Sequence, residues 1–314
     1  METGRSSSGA RILVVRGGAL GDFILTLPVL AALRGRFPGC VIELMAYPQY
    51  GQLAVEAGYV DQLYPIESRA LAGFFAARGK LDTGLAAVFE RAEVVVSYLF
   101  DPDAIFETNV RRCIKGQFLA GPHRPDDGGG RHAVEVLLSP LERLAIFDAH
   151  PVPRLTGGNA GGDVGKGAVG CVAVHPGSGS ERKNWPEGSW GELLERFMER
   201  RGERLLLVGG EAEGDRLERL AGRLPRDRVE VARSLGLVEL SRLLRGCRGF
   251  LGHDSGVTHL AAAVGLPCLV LWGPTVEGVW RPRGERIEVL RSGAGLAGIS
   301  VSAVFGALEG LLSV

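Results

Sequence analysis

Asp22 closes a glycine turn, Gly17-Gly18-Ala19-Leu20-Gly21, that follows a short apolar run. A carboxylate there can cap the helix it opens and complement its dipole, or it can take a proton from an incoming hydroxyl. Position alone leaves both roles open. Gly18 and Gly21 would let a bulky partner come close to the backbone. The turn is no dinucleotide fingerprint, because G-x-G-x-x-G ending at Gly21 would need glycine where Arg16 stands. Nor is it a P-loop, since Gly21 is followed by Asp22-Phe23 rather than Lys-Ser/Thr.

Three later loops carry groups suited to phosphate and hydroxyl recognition. In His175-Pro176-Gly177-Ser178-Gly179-Ser180-Glu181-Arg182-Lys183-Asn184-Trp185-Pro186, Ser178, Ser180 and backbone amides can bind phosphate oxygens, with Lys183 supplying positive charge. Trp185 and Trp190 read as packing residues, and Ser189 with Glu192 as a capping box. After Gly209-Gly210 come Glu211 and Glu213, either of which can accept from ribose hydroxyls or stand solvated. The third loop, Gly252-His253-Asp254-Ser255-Gly256-Val257-Thr258-His259, opens a helix. Its amides with Ser255 and Gly256 suit a diphosphate held without a metal. His259 lies one turn inside that helix and could serve the site or make a structural hydrogen bond. His253 and His259 share no helix face and have no cysteine partners, which argues against zinc. Asp101-Pro102-Asp103 is a D-x-D, a metal signature elsewhere, but proline separates the acids.

The elements that must position these groups alternate. Apolar runs at Arg11–Arg16, Val41–Ala46 and Val94–Leu99 predict buried strands, with helices over Asp22–Leu33, Leu85–Arg91 and His132–Ile146. A second series predicts strands at 170–174, 204–208, 229–232, 249–251 and 268–272. Helices are predicted over 190–201, 215–224, 237–244, 257–264 and 299–312. Such alternation implies α/β folding with parallel sheets. The glycine-rich stretch TGGNAGGDVGKG, residues 156–167, cannot bury a core and predicts a linker. The domains are then 10–157 and 168–314, two doubly wound, Rossmann-like units facing a cleft, with the last helix able to pack back on the first.

Composition narrows the classes. The chain has 314 residues, 46% hydrophobic and 23% charged, with a formal net charge of +0. That profile fits a globular protein of two domains with no general pull toward nucleic acid. The five cysteines are scattered without a CxxC pair, which fits reduced thiols in a cytoplasmic protein. Residues 1–9 do not read as a signal peptide. No run of about 18 apolar residues predicts a spanning helix, so membrane contact is expected to be peripheral.

Three motifs in series, Gly-x-x-Gly-Asp at Gly18–Asp22, Lys-x-Trp-Pro at Lys183–Pro186 and Asp-Ser-Gly-x-x-His at Asp254–His259, resemble those of glycosyltransferase family 9. That family contains the ADP-heptose:lipopolysaccharide heptosyltransferases. The resemblance spans nearly the whole chain. It implies the two-domain GT-B architecture and an inverting transfer of heptose from an ADP-sugar to a lipopolysaccharide core or related glycan. It further implies no metal or other cofactor, and at most peripheral contact with the cytoplasmic face of the inner membrane. By the same resemblance Asp22 is the catalytic base and Lys183 contacts the donor. Asp254, Ser255 and Gly256 hold the diphosphate with His259 nearby, and Ser178 and Ser180 stand for a hydroxyl pair. Glu213 binds ribose and Leu235 lies near adenine. Another nucleotide sugar with another acceptor, or a non-catalytic sugar-nucleotide-binding relative, are the alternatives. An oxidoreductase is disfavoured by Arg16.

Overall fold

The run Arg11–Val15 forms strand β1, buried along all but its first residue, in a computed structural model that describes residues 9–155 and 168–313. The predicted linker, 156–167, lies outside the described residues. From β1 the chain passes through α1 (Leu20–Arg36), β2 (Val41–Ala46), α2 (Pro48–Glu56) and β3 (Gln62–Pro65). It continues with α3 (Thr83–Glu90), β4 (Val94–Ser97), α4 (Ile105–Arg111), β5 (Gln117–Ala120) and α5 (Ala133–Leu138). The five strands form one parallel sheet ordered β3-β2-β1-β4-β5. Strand order reverses between β1 and β4, and at that point the carboxyl ends of a doubly wound sheet leave room for ligands.

The helix predicted over His132–Ile146 is interrupted. Pro140 has no N–H to continue the ladder, and α5 gives way to a tight turn at Ser139–Leu144. Ser139 Oγ donates to the Val136 carbonyl at 2.9 Å in compensation.

The second sheet draws on β6 (Val172–Val174), α6 (Glu187–Arg200), β7 (Leu205–Gly209), α7 (Arg216–Ala221), β8 (Val229–Arg233) and α8 (Leu237–Gly246). After these come β9 (Gly249–His253), α9 (Gly256–Ala263), β10 (Cys268–Leu271), α10 (Glu277–Trp280), β11 (Ile287–Leu290) and α11 (Val301–Leu312). All six strands are parallel, ordered β11-β10-β9-β6-β7-β8. Here the order reverses between β6 and β9.

Trp185 and Trp190, 1% and 0% exposed, meet edge to face at 5.3 Å in the core beside α6 and so are packing residues. The capping box expected at Ser189 is absent: α6 begins at Glu187 behind Pro186, whose fixed φ already suits a helix start. The last helix joins the same core. Val304, Phe305, Leu308, Leu311 and Leu312 of α11 pack there with residues of α6 and the second sheet.

The chain folds as two compact units, and the boundary is not a single cut at the linker. The first unit holds residues through Ala19, Thr26–Asp126 and Ala133–Pro151; the second holds Leu20–Leu25, Asp127–His132 and everything from Val152 onward. Two short segments assigned by sequence to the first domain therefore pack with the second. His132 Nε2 donates to the Arg281 carbonyl at 2.8 Å, and Trp280 Nε1 donates to Asp127 at 2.5 Å. The first turn of α1 is the other segment, and it carries Asp22.

Candidate active site

The loops at the β6 and β9 ends of the second sheet are locked to each other by one buried histidine. His253 ends β9, fully buried; its Nε2 accepts from Trp185 N–H at 2.8 Å and its Nδ1 faces the Gly177 carbonyl at 3.1 Å. A nitrogen that accepts and another that donates define a neutral imidazole with its proton on Nδ1. Burial pushes its pKa down to about 4. Because this value lies below the roughly 6.5 of an exposed imidazole, the neutral ring's contribution is complete above pH 6.5 and fades as pH falls toward 4. The linkage amounts to roughly 3 kcal/mol. Urea midpoints are expected to drop between pH 7 and 4.5, with a shallower slope in a His253→Asn variant. Equal slopes in the two proteins would remove His253 from this role.

Asp254 and Ser255 follow directly. Ser255 is extended and caps α9, its Oγ accepting from Thr258 N–H at 3.4 Å, while Thr258 Oγ1 donates to the His253 carbonyl. The amides at the start of α9 thus remain oriented toward the β9 end. Asp254 Oδ2 receives Lys183 Nζ at 2.7 Å and Thr275 Oγ1 at 2.6 Å, which anchors the lysine of the β6 loop beside the α9 terminus. Lys183 sits in a single helical turn begun by Ser180, whose carbonyl accepts from Lys183 N–H at 2.9 Å. Ser178 Oγ lies 2.8 Å from both the Ser180 carbonyl and Asn184 Oδ1. Its hydroxyl is turned inward and shapes the loop; Ser180 is half-buried.

Glu213 is buried, unlike its exposed neighbour Glu211. One carboxylate oxygen accepts from Gly210 N–H at 2.5 Å, and the other lies 3.5 Å from His175 Nε2. Burial works against its charge, yet the His175 and Gly210 hydrogen bonds outweigh burial and hold the carboxyl below the usual carboxylate value. A Cβ on Gly177 would overlap that carboxylate, so the β6 loop needs glycine there. His175 Nδ1 in turn lies 3.4 Å from Ser255 Oγ. Leu235, half-buried, follows Ser234 in the turn after β8; Ser234 N–H donates to the Gly209 carbonyl at 2.8 Å and so draws that turn to the β7 end.

The first turn of α1 meets the first turn of α9 at two glycines. A Cβ added to Gly256 would sit 2.8 Å from Leu20 Cβ and 3.0 Å from the Gly21 nitrogen, and one added to Gly21 would stand 3.4 Å from the His259 ring. Gly18 enters this turn at φ +94°, a conformation glycine adopts without strain. Asp22, half-buried, lies in the first turn of α1 rather than at its cap. His259 is buried, and burial pushes its pKa down to about 4 although the nearby Asp254 and Asp22 carboxylates favour its protonated form. His132 and Lys183 act on the same ring in the opposite sense. One neighbourhood therefore holds Asp22, His132, Lys183, Asp254, Ser255, Gly256 and His259.

Sequence alone does not single out His132, His175 or Thr275. His175 had a signal, a polar residue directly after a buried strand. His132 and Thr275 reach the site only through contacts distant in the chain. The D-x-D motif has a structural use: Asp101 accepts from the Phe106 and Glu107 amides at 3.0 and 2.9 Å and starts α4. Among the described residues no group of three or more His, Cys, Asp or Glu could hold a metal ion. Among them no helix is long and apolar enough to cross a membrane.

The profile of "Glycosyltransferase family 9 (heptosyltransferase)" matches residues 161–299. Lipopolysaccharide heptosyltransferase 1 of Pseudomonas aeruginosa is 28% identical over 291 residues, covering 85% of this chain and 80% of that protein. The enzyme of that name from Salmonella typhimurium is 26% identical over 95% of this chain and 100% of its own length. Among solved structures, the E. coli heptosyltransferase WaaC with ADP superposes with a TM-score of 0.75 at 21% identity, over 96% of this chain and 99% of that one. A glycosyl transferase family 9 protein from Veillonella parvula gives a TM-score of 0.78 at 19% identity, over 96% and 97%. The fold they share is the GT-B arrangement of two parallel sheets with alternating helices.

Proposed function

We propose that this chain is a family 9 glycosyltransferase that moves a heptose from ADP-heptose to a lipopolysaccharide core or related glycan acceptor, a reading supported by the family match over residues 161–299 and by the heptosyltransferase relatives. The observation that carries the reading is the position of a carboxylate, Asp22, in the helix turn that abuts Gly256 at the Ser255-capped start of α9. In the proposed reaction Asp22 takes the proton of an acceptor hydroxyl as its oxygen bonds to the anomeric carbon. The bond from that carbon to the diphosphate breaks on the opposite side, the configuration inverts, and ADP leaves.

Negative charge grows on the departing diphosphate. Lys183 and the amides that open α9 would meet it, with no metal or other cofactor required. Ser180 and the backbone of the loop shaped by Ser178 add donors. Glu213, kept ionised, suits the ribose hydroxyls as an acceptor, and the Leu235 turn offers an apolar edge to adenine. The activities of the relatives support both the sugar and the acceptor, and the ADP bound to WaaC supports the nucleotide. A reaction of this kind belongs in the cytoplasm, with at most peripheral contact with the inner membrane.

Calorimetric titration of the purified protein with ADP, UDP, GDP and NAD tests the donor half. ADP should bind at least tenfold more tightly than the other three. Preference for UDP or GDP would reassign the donor, and preference for NAD would sink the reading.

A further inference from the structure

Arg216 opens α7, three residues after Glu213, and only 14% of its side chain is exposed. A guanidinium so covered needs partners for its donors, and this one is thinly served. Nη2 donates to both Glu181 oxygens at 3.2 Å. Nε is buried without a hydrogen-bond acceptor, 3.5 Å from Glu187 Oε2. Glu187 has a better partner: Arg219 donates to its two oxygens at 2.7 Å each, which leaves Arg216 little of that charge. Glu181 is the looser anion, with 78% of its side chain exposed, and a pair open to water on one side is held weakly.

Strand order places this fork beside the donor. The second sheet runs β9-β6-β7, with Glu213 beyond the β7 end and Lys183 tied to Asp254 at the β9 end. A nucleoside diphosphate whose ribose meets Glu213 and whose outer phosphate meets Lys183 and α9 carries its inner phosphate over the β6 loop, on the β7 side. Glu181 of that loop and Arg216 of α7 meet on this same side. Burial makes His253 hard to protonate and the Arg216 charge adds to the effect, so the guanidinium lies within electrostatic range of the junction of the β6 and β9 loops.

An arginine fork matches the oxygens of a phosphate, and the shorter charge-assisted bonds it makes there are stronger than a long pair at the surface. We infer that Arg216 binds the inner phosphate of the donor, and that Glu181 is the anion it releases to do so. This rests on the proposed nucleoside-diphosphate donor and adds a second cation to Lys183, one for each phosphate. Glu181 is then a built-in competitor. Its removal should tighten nucleotide binding, the opposite of what a salt bridge that merely holds the loop would give.

The test is calorimetric titration of the full chain with ADP and with AMP, which keeps the inner phosphate alone. Arg216→Gln should weaken both nucleotides at least fivefold, and Arg216→Lys should weaken them less. Glu181→Gln should bind ADP at least threefold more tightly than wild type. In the double variant that gain should vanish, because the competitor matters only while the cation is present. Thermal melting shows whether each variant is folded; should Arg216→Gln unfold, the sign of the Glu181→Gln change still decides. Equal or weaker ADP binding by Glu181→Gln, unchanged binding by Arg216→Gln, or the same gain from Glu181→Gln with and without Arg216 would overturn the inference. If wild type prefers UDP or GDP, the donor reading falls alone, and the same comparisons with the preferred nucleotide decide this one. If it binds no nucleoside diphosphate, both fall.

Discussion

Asp22→Asn is expected to lower sugar transfer by about 10²–10⁴-fold while leaving the dissociation constant for ADP within a factor of about three. The substitution keeps the shape but replaces one acceptor oxygen with a donating NH2 and removes the ability to take up a proton. Asp22 sits inside the first turn of α1 and not at its cap, so its loss should not unravel the helix start. Steady-state transfer assays and calorimetry on the same preparation separate the two effects. A merely structural aspartate would show unchanged turnover, or a loss of ADP binding in step with turnover.

Lys183→Met carries the second large effect. Lys183 Nζ lies 2.7 Å from Asp254 Oδ2 and 30% of its side chain is exposed, so the ammonium is held near the α9 terminus yet open to a ligand. Removing a cation that meets charge developing on a leaving group costs on the order of 10²-fold in turnover. Because the diphosphate is charged before the reaction too, ADP affinity should fall about tenfold. Thr275 Oγ1 continues to hold Asp254 in the variant, which limits collapse of the loop. Turnover and ADP affinity both at wild-type values would exclude Lys183 from the donor site.

Much of the second unit was legible because its signals are local. Buried strands such as Leu205–Gly209 are apolar runs ending in glycine, and the Gly252–His259 loop opens α9 as its position suggests. What sequence could not supply came from distant partners. The first turn of α1 and the segment ending at His132 group with the second unit through residues far along the chain, and nothing in their own composition signals that. Short elements were missed for a different reason. The strands Gln62–Pro65 and Gln117–Ala120, of four residues each, are too short to stand out by alternation. Glu213 could have been a solvated glutamate by sequence; its burial against His175 and Gly177 is a property of two loops brought together at one sheet edge. Ser178 shows the converse, a hydroxyl of the right type in the right loop that folds inward onto Asn184.

The proposed displacement relies on an aspartate and on the protein's own positive groups. Transfer from ADP-heptose to a heptose-deficient lipopolysaccharide core, in excess EDTA and with wild type and Asp22→Asn in parallel, bears on it without intermediaries. Wild-type transfer should be undiminished, with a product of inverted anomeric configuration and almost none from the variant. Transfer abolished by EDTA and restored by a divalent metal, retained configuration, or comparable product from Asp22→Asn would refute it.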